Sequence, residues 1–171
     1  MTIEIIAVVP EDTSALQLIS RQTFFETFSA SNSEENMKKF LDESYATDKL
    51  LAEINNPDSA FYFAVFEKEV IGYLKINFGA AQTEQQHENS MEIERIYVLS
   101  SFHGKKVGQL LYDHALQIAR DKNVQFVWLG VWEENPRAIQ FYKKNGFIEF
   151  DKHIFKLGDD LQTDIMMKLA L

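Results

Sequence analysis

The sequence contains no cysteine. This absence excludes disulfide bonds, thiolate metal sites and covalent catalysis through a cysteine thiol. The sequence also lacks any run that approaches the ~18 apolar residues of a membrane-spanning helix. Its first residues, Met1-Thr2-Ile3-Glu4, carry an acidic side chain where a secretory signal needs basic ones. We therefore expect a cytoplasmic protein that does not enter a membrane.

Basic residues are scarce relative to acidic ones. The 17 Lys and Arg face 26 Asp and Glu, which gives a formal net charge of −9. Such a charge repels nucleic acid and anionic membranes, and it favours cationic partners at modest ionic strength. Acidity of this kind is also common in proteins that only need to stay soluble. Charge therefore argues against nucleic acid as a partner, and it only supports a small cationic ligand.

The histidines are too scattered to indicate a metal site. No cluster of His, Cys, Asp or Glu occurs at the spacings typical of metal ligands. Ser100 and Ser101 lack the pattern of a catalytic triad. We therefore expect neither a metal ion nor a serine hydrolase. The histidines are His87, His103, His114 and His153.

Strand and helix patterns alternate along the chain, without internal repeats or low-complexity linkers. The 171 residues, of which 46% are hydrophobic, suit one compact α/β domain over residues 1–171. The predicted strands are Ile3–Val8, Phe61–Phe66, Val70–Phe78, Met91–Val98, Phe126–Trp132, Phe147–Phe155 and Thr163–Leu169. The predicted helices begin near Glu11, Ser33 and Asp48, span Gly104–Asp121, and begin at Asn135.

The segment Asn135–Phe147 has the features of a short helix. Asn135 is a good N-cap, Pro136 suits the first helical position, and Gly146 is placed to end the helix. In this arrangement, the phenol of Tyr142 extends from the C-terminal turn of the helix. Taken alone, the segment fits an ordinary amphipathic helix with a buried tyrosine equally well.

A second informative segment lies upstream. The strand Met91–Val98 leads into His103-Gly104-Lys105-Lys106-Val107-Gly108 and then into a helical pattern. A basic, glycine-bearing turn at a helix start presents free backbone N–H groups and the positive end of the helix dipole. Together these groups bind a pyrophosphate. We therefore predict a pyrophosphate site at this turn.

The two segments resemble the GNAT superfamily of N-acetyltransferases. In that superfamily the pyrophosphate loop reads Gln/Arg-x-x-Gly-x-Gly/Ala, and the later segment reads Asn-x-x-Ala-x-x-Phe-Tyr-x-x-x-Gly-Phe. The later segment matches Asn135–Phe147 throughout. In the loop, His103 stands at the Gln/Arg position, Lys106 stands at the first glycine, and Gly108 matches the second.

Other segments resemble the PaiA-type spermidine/spermine acetyltransferases of Gram-positive bacteria, over nearly the whole chain. The resemblance implies an α+β fold with a mixed, mostly antiparallel sheet of seven strands. Its fourth and fifth strands would splay apart to admit the pantetheine arm of acetyl-CoA. It also implies direct acetyl transfer to a polyamine amine, and the oligomeric state, monomer or homodimer, stays open. The segments are Thr23–Phe28, Glu35–Met37, Phe61–Val65, Gly130–Glu133 and Gln162–Asp164.

The resemblance also implies which residues bind acetyl-CoA. Backbone groups near Tyr97 and Val98 would pair with the pantetheine amides, and their N–H groups would stabilise the oxyanion. Asn135 would hydrogen-bond the cofactor, and Lys144 could reach a phosphate. The full set is Tyr97, Val98, His103, Gly104, Lys105, Lys106, Val107, Gly108, Asn135, Ala138, Tyr142 and Lys144.

The acceptor amine needs a base, because a primary amine with a pKa near ~10.4 must lose a proton before it attacks. By period two, Glu92 and Glu94 point to one face of their strand, with Arg95 and Tyr97 on the other. Repulsion between the two carboxylates would raise one pKa. Glu92 has the same offset from Gly108 as the catalytic glutamate of histone-acetylating members, so it is the first candidate. Glu94 and a water relay remain alternatives.

Two further roles follow from side-chain chemistry. The phenol of Tyr142, with a pKa near ~10, is protonated at neutral pH and could protonate the departing thiolate; its alternative is a core tyrosine. Glu26, within an aromatic run, is the candidate contact for a cationic substrate.

Two other functions remain open beside polyamine acetylation. The same chemistry could serve a protein N-terminus, a lysine or an amino-sugar. A CoA-binding regulatory module with little catalysis is the alternative from a different class, since His103 and Lys106 depart from the loop pattern.

Overall fold

A computed structural model describes residues 1–85 and 89–171 of the chain. Within that part, seven strands form one sheet, and five α-helices flank it. The strands are β1 (Glu4–Ala7), β2 (Ser59–Phe66), β3 (Glu69–Phe78), β4 (Ser90–Val98), β5 (Phe126–Trp132), β6 (Ile148–Leu157) and β7 (Asp160–Ala170). The helices are α1 (Thr13–Phe28), α2 (Glu34–Ser44), α3 (Thr47–Asn55), α4 (Val107–Asp121) and α5 (Pro136–Lys144).

The strand order in the sheet is β1-β2-β3-β4-β5-β7-β6. β4 and β5 are parallel, and every other neighbouring pair in this described sheet is antiparallel. The predicted mixed, mostly antiparallel sheet is therefore confirmed. Most side chains of β5 are buried, as expected for a central strand whose two faces are both covered.

The hairpins β2–β3 and β6–β7 both close through backbone that has positive φ. Glu67 and Lys68, between β2 and β3, have φ values of 49° and 68°. A two-residue type I′ turn requires this left-handed conformation at both positions. Gly158, between β6 and β7, has a φ of 57°. The turn residues thus set the register of each hairpin.

The predicted helix caps of α2 and α5 are present. The Ser33 hydroxyl accepts the N–H of Asn36 at 3.1 Å, and the Asn135 side chain accepts the N–H of Ala138 at 3.3 Å. Gly146 follows α5 with a φ of 97°, which only glycine adopts readily. Local sequence therefore determines where these helices begin and end.

Helix α4 begins later than predicted. Gly104 and Lys106 have left-handed φ values of 79° and 64°, and the helix begins only at Val107. The start predicted at Gly104 is therefore wrong, because two left-handed residues cannot belong to a right-handed helix.

The hydrophobic core has one part on each face of the sheet. Helices α1, α2 and α3 cover one face, and α4 and α5 cover the other. Leu16, Phe24 and Leu50 are buried in the first part, and Leu111 and Val127 are buried in the second. Burial of each such side chain contributes about 1.5–3 kcal/mol, so both faces hold the sheet in place.

Neither a helix suited to cross a membrane nor a metal-binding group is found among the described residues. In residues 1–85 and 89–171, no helix combines the length and the apolar character needed to cross a membrane. Across the same ranges, no group of three or more His, Asp or Glu side chains could hold a metal ion. His87 lies outside the described residues.

Candidate active site

The parallel pairing of β4 and β5 covers only the first part of each strand. It ends in register at Glu92 and Trp128. Beyond that pair, β4 continues along β3 to Val98, while β5 continues along β7 to Trp132. The two strands therefore separate as predicted, and the exposed edge of β4 can pair with an extended ligand.

The hydrogen-bond pattern shows which backbone groups of β4 face this opening. The Leu99 N–H donates to the Ile71 carbonyl on β3 at 2.9 Å. Hydrogen-bonded pairs alternate along an antiparallel ladder, so Tyr97 also directs its backbone groups to β3. Ile96 and Val98 direct theirs to the opening. The predicted backbone contact with the cofactor therefore stays a prediction for Val98, and Ile96, which the sequence analysis did not name, is better placed for it than Tyr97.

A cavity of about 540 Å³ lies between β4, the start of α4 and α5; we name it the cofactor cavity. All predicted cofactor-binding residues line it except Lys105. The Lys105 ammonium lies 5.3 Å from the centre of the ring of Phe102, which lines the cavity, so a contact of Lys105 with the cofactor stays a prediction. Lining residues that sequence reasoning did not name are Thr27, Ile96, Phe102, Gln109, Arg137 and Phe141.

The turn before α4 keeps the shape of a phosphate loop although Lys106 replaces a glycine of the motif. Its φ of 64° is left-handed, a conformation that costs a residue with a Cβ about 1–2 kcal/mol. The first N–H groups of α4, including that of Gly108, have no acceptor within the helix and are available to an anion. His103 Nε2 lies 2.8 Å from the Val98 carbonyl oxygen, which ties the loop to β4.

The charge of the cofactor cavity is positive, in contrast to the chain as a whole. Lys106, Arg137 and Lys144 line it, and its described lining includes no carboxylate. A cationic wall next to a helix N-terminus suits the phosphates of acetyl-CoA. Arg137 occupies a position at which the family motif specifies no residue, so the motif could not identify it as a lining residue.

Tyr142 lies where the cofactor cavity meets the core. It is 6% exposed and packs edge-on against Phe141 and Phe147. Burial raises the pKa of its phenol above the ordinary value, with a smaller contribution from Tyr112. The phenol is therefore protonated at neutral pH and can donate a proton. The two alternatives for Tyr142 are thus compatible, because it is both a core residue and a lining residue.

A second cavity, of about 380 Å³, lies on the face of the sheet that α1, α2 and α3 cover; we name it the acceptor cavity. Tyr97 lines both cavities, so they meet at the end of β4. The aromatic lining residues are Phe24, Phe28, Phe40, Tyr45, Tyr97, Trp128, Trp132 and Phe155. The acidic ones are Glu84, Glu92, Glu94 and Asp164.

Glu92 is a buried carboxylate, 3% exposed, on the wall of the acceptor cavity. Its oxygens accept the Thr83 N–H at 2.8 Å, the Thr83 hydroxyl at 2.5 Å and the Asn77 amide at 3.0 Å. Burial raises the pKa of Glu92, these hydrogen bonds oppose the rise, and Glu94 adds the smallest contribution. The predicted direction is therefore right, but desolvation rather than carboxylate repulsion is its main cause.

Glu94 has the opposite character, because cations surround it. Its oxygens lie 2.8 Å from the Lys75 ammonium and 3.0 Å from the Arg95 guanidinium, and both cations also contact Glu53. Burial alone would raise the pKa of Glu94, but Arg95 and Lys75 outweigh it and lower the pKa. Glu94 is therefore a charged member of an ion-pair network, which makes it a weak base.

A β-bulge explains why the period-two prediction failed along β4. Consecutive residues of β3 oppose Ile93 and Arg95, so Glu94 is an extra residue in β4. After such a bulge the alternation of faces changes. Glu92, Glu94, Arg95 and Tyr97 consequently all line the acceptor cavity, and the prediction that the last two face away is wrong.

Glu26 is not placed to contact the acceptor. Its two carboxylate oxygens accept the N–H and the hydroxyl of Ser100, at 2.9 and 3.0 Å. These bonds tie α1 to the turn that precedes the phosphate loop. Glu26 does not line the acceptor cavity, so its assignment as a substrate contact is corrected.

Asp164 and His153 are acceptor-cavity residues that sequence reasoning did not assign. They pair in register between β7 and β6. Burial raises the pKa of Asp164 to about 6, and His153 opposes the rise. His153 itself contacts Asp151 and Glu84, which raise its pKa. The segment Gln162–Asp164 belonged to the PaiA-type resemblance, which was therefore the one signal for Asp164.

Comparison with known proteins assigns the family. Residues 21–147 match the family model described as Acetyltransferase (GNAT) family. An uncharacterised N-acetyltransferase of Lactobacillus delbrueckii subsp. lactis is 43% identical over 169 residues, which cover 99% of this chain and 98% of that protein. A spermidine N(1)-acetyltransferase of Thermoplasma acidophilum is 30% identical over 151 residues, which cover 86% of this chain and 89% of that protein.

A solved structure supports the same assignment. The crystal structure of the PaiA N-acetyltransferase from Thermoplasma acidophilum in complex with coenzyme A superimposes with a TM-score of 0.82. It is 28% identical in sequence and covers 100% of both chains. The predicted fold and the PaiA-like resemblance are thus confirmed. This chain belongs to the acetyltransferase (GNAT) family and is an N-acetyltransferase that uses acetyl-CoA as its co-substrate.

Proposed function

We propose that this enzyme acetylates a primary amine of a polyamine such as spermidine or spermine. The carrying observation is the acceptor cavity, which combines aromatic walls with carboxylates. Methylene segments of a polyamine can pack on the aromatic rings, while its ammonium groups gain from cation–π contacts and ion pairs. The net charge of −9 adds attraction over a longer range.

Two of the carboxylates in the cavity remain suited to a cationic ligand. Glu94 is already neutralised by Lys75 and Arg95, whereas Glu92 is held by neutral donors. Burial raises the pKa values of Glu92 and Asp164. A bound ammonium group would favour their charged forms and would itself be bound more tightly as they ionise.

Sequence similarity adds a second support. The relative from Thermoplasma acidophilum that is 30% identical is a spermidine N(1)-acetyltransferase. The similarity covers 86% of this chain, so it includes residues on both sides of the opening between β4 and β5. An acceptor of the same chemical class would use the same acidic, aromatic cavity.

The residues can be placed in a direct transfer. Acetyl-CoA supplies a thioester carbonyl, and the backbone N–H groups of Ile96 or Val98 face the position of its oxyanion. Glu92 is the base candidate that the sequence predicts, and it would need a relay to take the proton, because hydrogen bonds from Thr83 engage its oxygens. Tyr142 donates a proton to the departing thiolate.

The test is steady-state release of CoA from acetyl-CoA by the purified chain. The acceptor panel contains spermidine, spermine, putrescine, amino-sugars and basic peptides, each at low and moderate salt. We expect saturable turnover with spermidine or spermine that weakens as salt rises, because screening reduces the attraction between cation and carboxylates.

The other outcomes separate the alternatives. Turnover with an amino-sugar or a peptide alone would keep the acetyltransferase chemistry and discard the polyamine. Tight acetyl-CoA binding without turnover on any amine would instead support the regulatory module.

A further inference from the structure

Asp164 lies on β7 beside the diverging strands and lines the acceptor cavity. It pairs in register with Trp132, the last residue of β5. Its Oδ2 atom lies close to the backbone of Gly130, since a Cβ built on that glycine would be 3.4 Å away. The same Cβ would lie 3.3 Å from the Met166 sulfur. Glycine at this position therefore keeps the approach to the Asp164 carboxylate open.

The register places Asp164 level with the reactive edge of β4. Parallel pairing aligns Glu92 with Trp128. From that pair, Tyr97 on β4 and Trp132 on β5 are the same number of residues away once the extra bulge residue of β4 is left out. Tyr97 therefore lies level with Trp132, and with Asp164, which pairs with Trp132. Burial is the main cause of the raised pKa of the Tyr97 phenol, and the charge of Asp164 adds a smaller contribution to it. Tyr97 lines both cavities, so Asp164 stands near the point where the two substrates meet.

Glu92 is farther from this point. It lies at the closed end of the opening, about 10 Å along β4 from Ile96 at roughly 3.3 Å per residue once the bulge is allowed for. Its oxygens are also engaged by Thr83 and Asn77. Glu94 is nearer to Ile96 along β4, but Lys75 and Arg95 already neutralise it. Asp164 is thus the acceptor-cavity carboxylate that lies level with Tyr97 and is not held by a lysine or an arginine.

We infer that Asp164, rather than Glu92, binds the attacking ammonium group directly and takes its first proton. The inference rests on the proposed function, because it requires a cationic amine in the acceptor cavity. Glu92 then acts as a positioning residue that holds the loop at Thr83 and completes the acidic wall. Asp164 becomes a catalytic residue of the transfer.

The proton balance of the step is complete. The ammonium group gives one proton to Asp164, and its freed lone pair forms the N–C bond to the thioester carbon. The C–S bond breaks, and Tyr142 gives its proton to the thiolate. The excess proton on the new amide nitrogen restores the Tyr142 phenol, and Asp164 releases its proton to solvent. The products are the acetylated amine, CoA and one proton.

The protonation state of Asp164 suits this role. Burial raises its pKa to about 6, so it is ionised at neutral pH but can hold a proton better than an exposed aspartate. The register neighbour on β5, Trp132, has no ionisable group. Besides Glu92, ionisable groups on the other elements around the cavity are His153 on β6, Glu94, Arg95 and Tyr97 on β4, Tyr45 at the end of α2, Lys49 on α3, and Glu84.

The test compares Asp164→Asn with Glu92→Gln in the full chain, using the amine that the wild type turns over best. We expect Asp164→Asn to lower kcat/KM at least about 100-fold and Glu92→Gln to lower it less than about tenfold. Asp164→Asn should also remove the rise of kcat/KM with pH near pH 6, whereas Glu92→Gln should keep it. The dissociation constant of acetyl-CoA should stay within about twofold in both variants, because neither residue lines the cofactor cavity.

Folding is checked separately. Asp164 has a raised pKa in the folded chain, so its charge disfavours folding above pH 6, and Asp164→Asn should raise Tm there and not below pH 4. His153→Gln should keep the rise in activity but move it to higher pH, since His153 lowers the pKa of Asp164. Unchanged activity of a folded Asp164→Asn, or the reverse order of the two losses, would overturn the inference. A wild type that turns over no amine would instead overturn the proposed function.

Discussion

The cofactor cavity and the acceptor cavity share Tyr97 but are built in opposite ways. The first is cationic and comes from two short stretches of chain, residues 96–109 and 135–144, with Thr27 added from α1. The second is acidic and aromatic, and its walls come from α1, α2, α3, four strands and the segments between them. The two cavities therefore differ in the sign of their charge, although the net charge of the chain is −9. The cationic cavity suits a polyanion and the acidic one suits a cation, so charge favours a different substrate in each.

The largest expected effect is a loss of stability when the ion-pair network beneath the acceptor cavity is broken. Lys75→Met removes a cation that lies between Glu53 and Glu94, with its side chain 6% exposed. The buried carboxylates would lose part of their compensation, so we expect the free energy of unfolding to fall by about 3 kcal/mol. Urea denaturation measures this change. Lys38→Met is the matched control, because Lys38 pairs with Asp42 at the surface with its side chain 77% exposed.

The control should change the free energy of unfolding by less than about 1 kcal/mol. Equal effects of the two variants would show that the network beneath the acceptor cavity does not hold its wall. In that case the acceptor side would depend on aromatic packing alone.

The rate of acetyl transfer should depend on the phenol of Tyr142, which lines the cofactor cavity. Tyr142→Phe keeps the ring that packs on Phe141 and Phe147, and it removes the hydroxyl. We expect kcat to fall about 100-fold, because the thiolate loses its proton donor. The dissociation constant of acetyl-CoA, measured by calorimetry, should change less than about threefold. A variant that unfolds, or one that keeps full kcat, would leave Tyr142 as a core residue only.

Binding of acetyl-CoA should respond to the sign of charge at the start of α4. Gly108→Glu places a carboxylate at a helix N-terminus that is set to receive phosphates. We expect the dissociation constant of acetyl-CoA to rise at least about tenfold, or 1.4 kcal/mol. Gly108→Ala is the control, because a Cβ there would meet Val98 at 4.0 Å, an ordinary contact. Similar losses in both variants would indicate a steric cause and would contradict the electrostatic account.

The same contrast explains how far sequence reasoning reached. The caps at Asn135 and Gly146 and the loop before α4 are local features, so a motif of a dozen residues predicted the cofactor cavity. Each strand of the sheet was also predicted, because hydrophobic patterns and turn residues act over short stretches. The separation of β4 and β5 came from the family resemblance and not from any pattern in the strands.

The acceptor cavity was harder to predict because its residues are distant in sequence. Asp164 and Gly130 meet only through the pairing of β5 with β7, and Glu53 meets Arg95 only through packing. The bulge at Glu94 moved later residues to the other face, and no residue type in β4 signals such a bulge. Glu26 was assigned to the acceptor by residue type, whereas its neighbour Ser100 decides its role.

The smallest expected effect separates shape from charge within the cofactor cavity. Lys106 has a φ of 64° and lines the cofactor cavity. Lys106→Gly relieves the left-handed conformation but adds freedom to the unfolded chain, so we expect a net gain in unfolding free energy within about 1 kcal/mol. Loss of one cation should weaken acetyl-CoA binding about two- to fivefold, which calorimetry at low salt resolves. Lys106→Ala loses the same charge while keeping the strained backbone, so it should weaken binding equally without the gain in stability. If Lys106→Ala gains as much stability as Lys106→Gly, the gain does not come from relief of the left-handed conformation, and the strain account is contradicted.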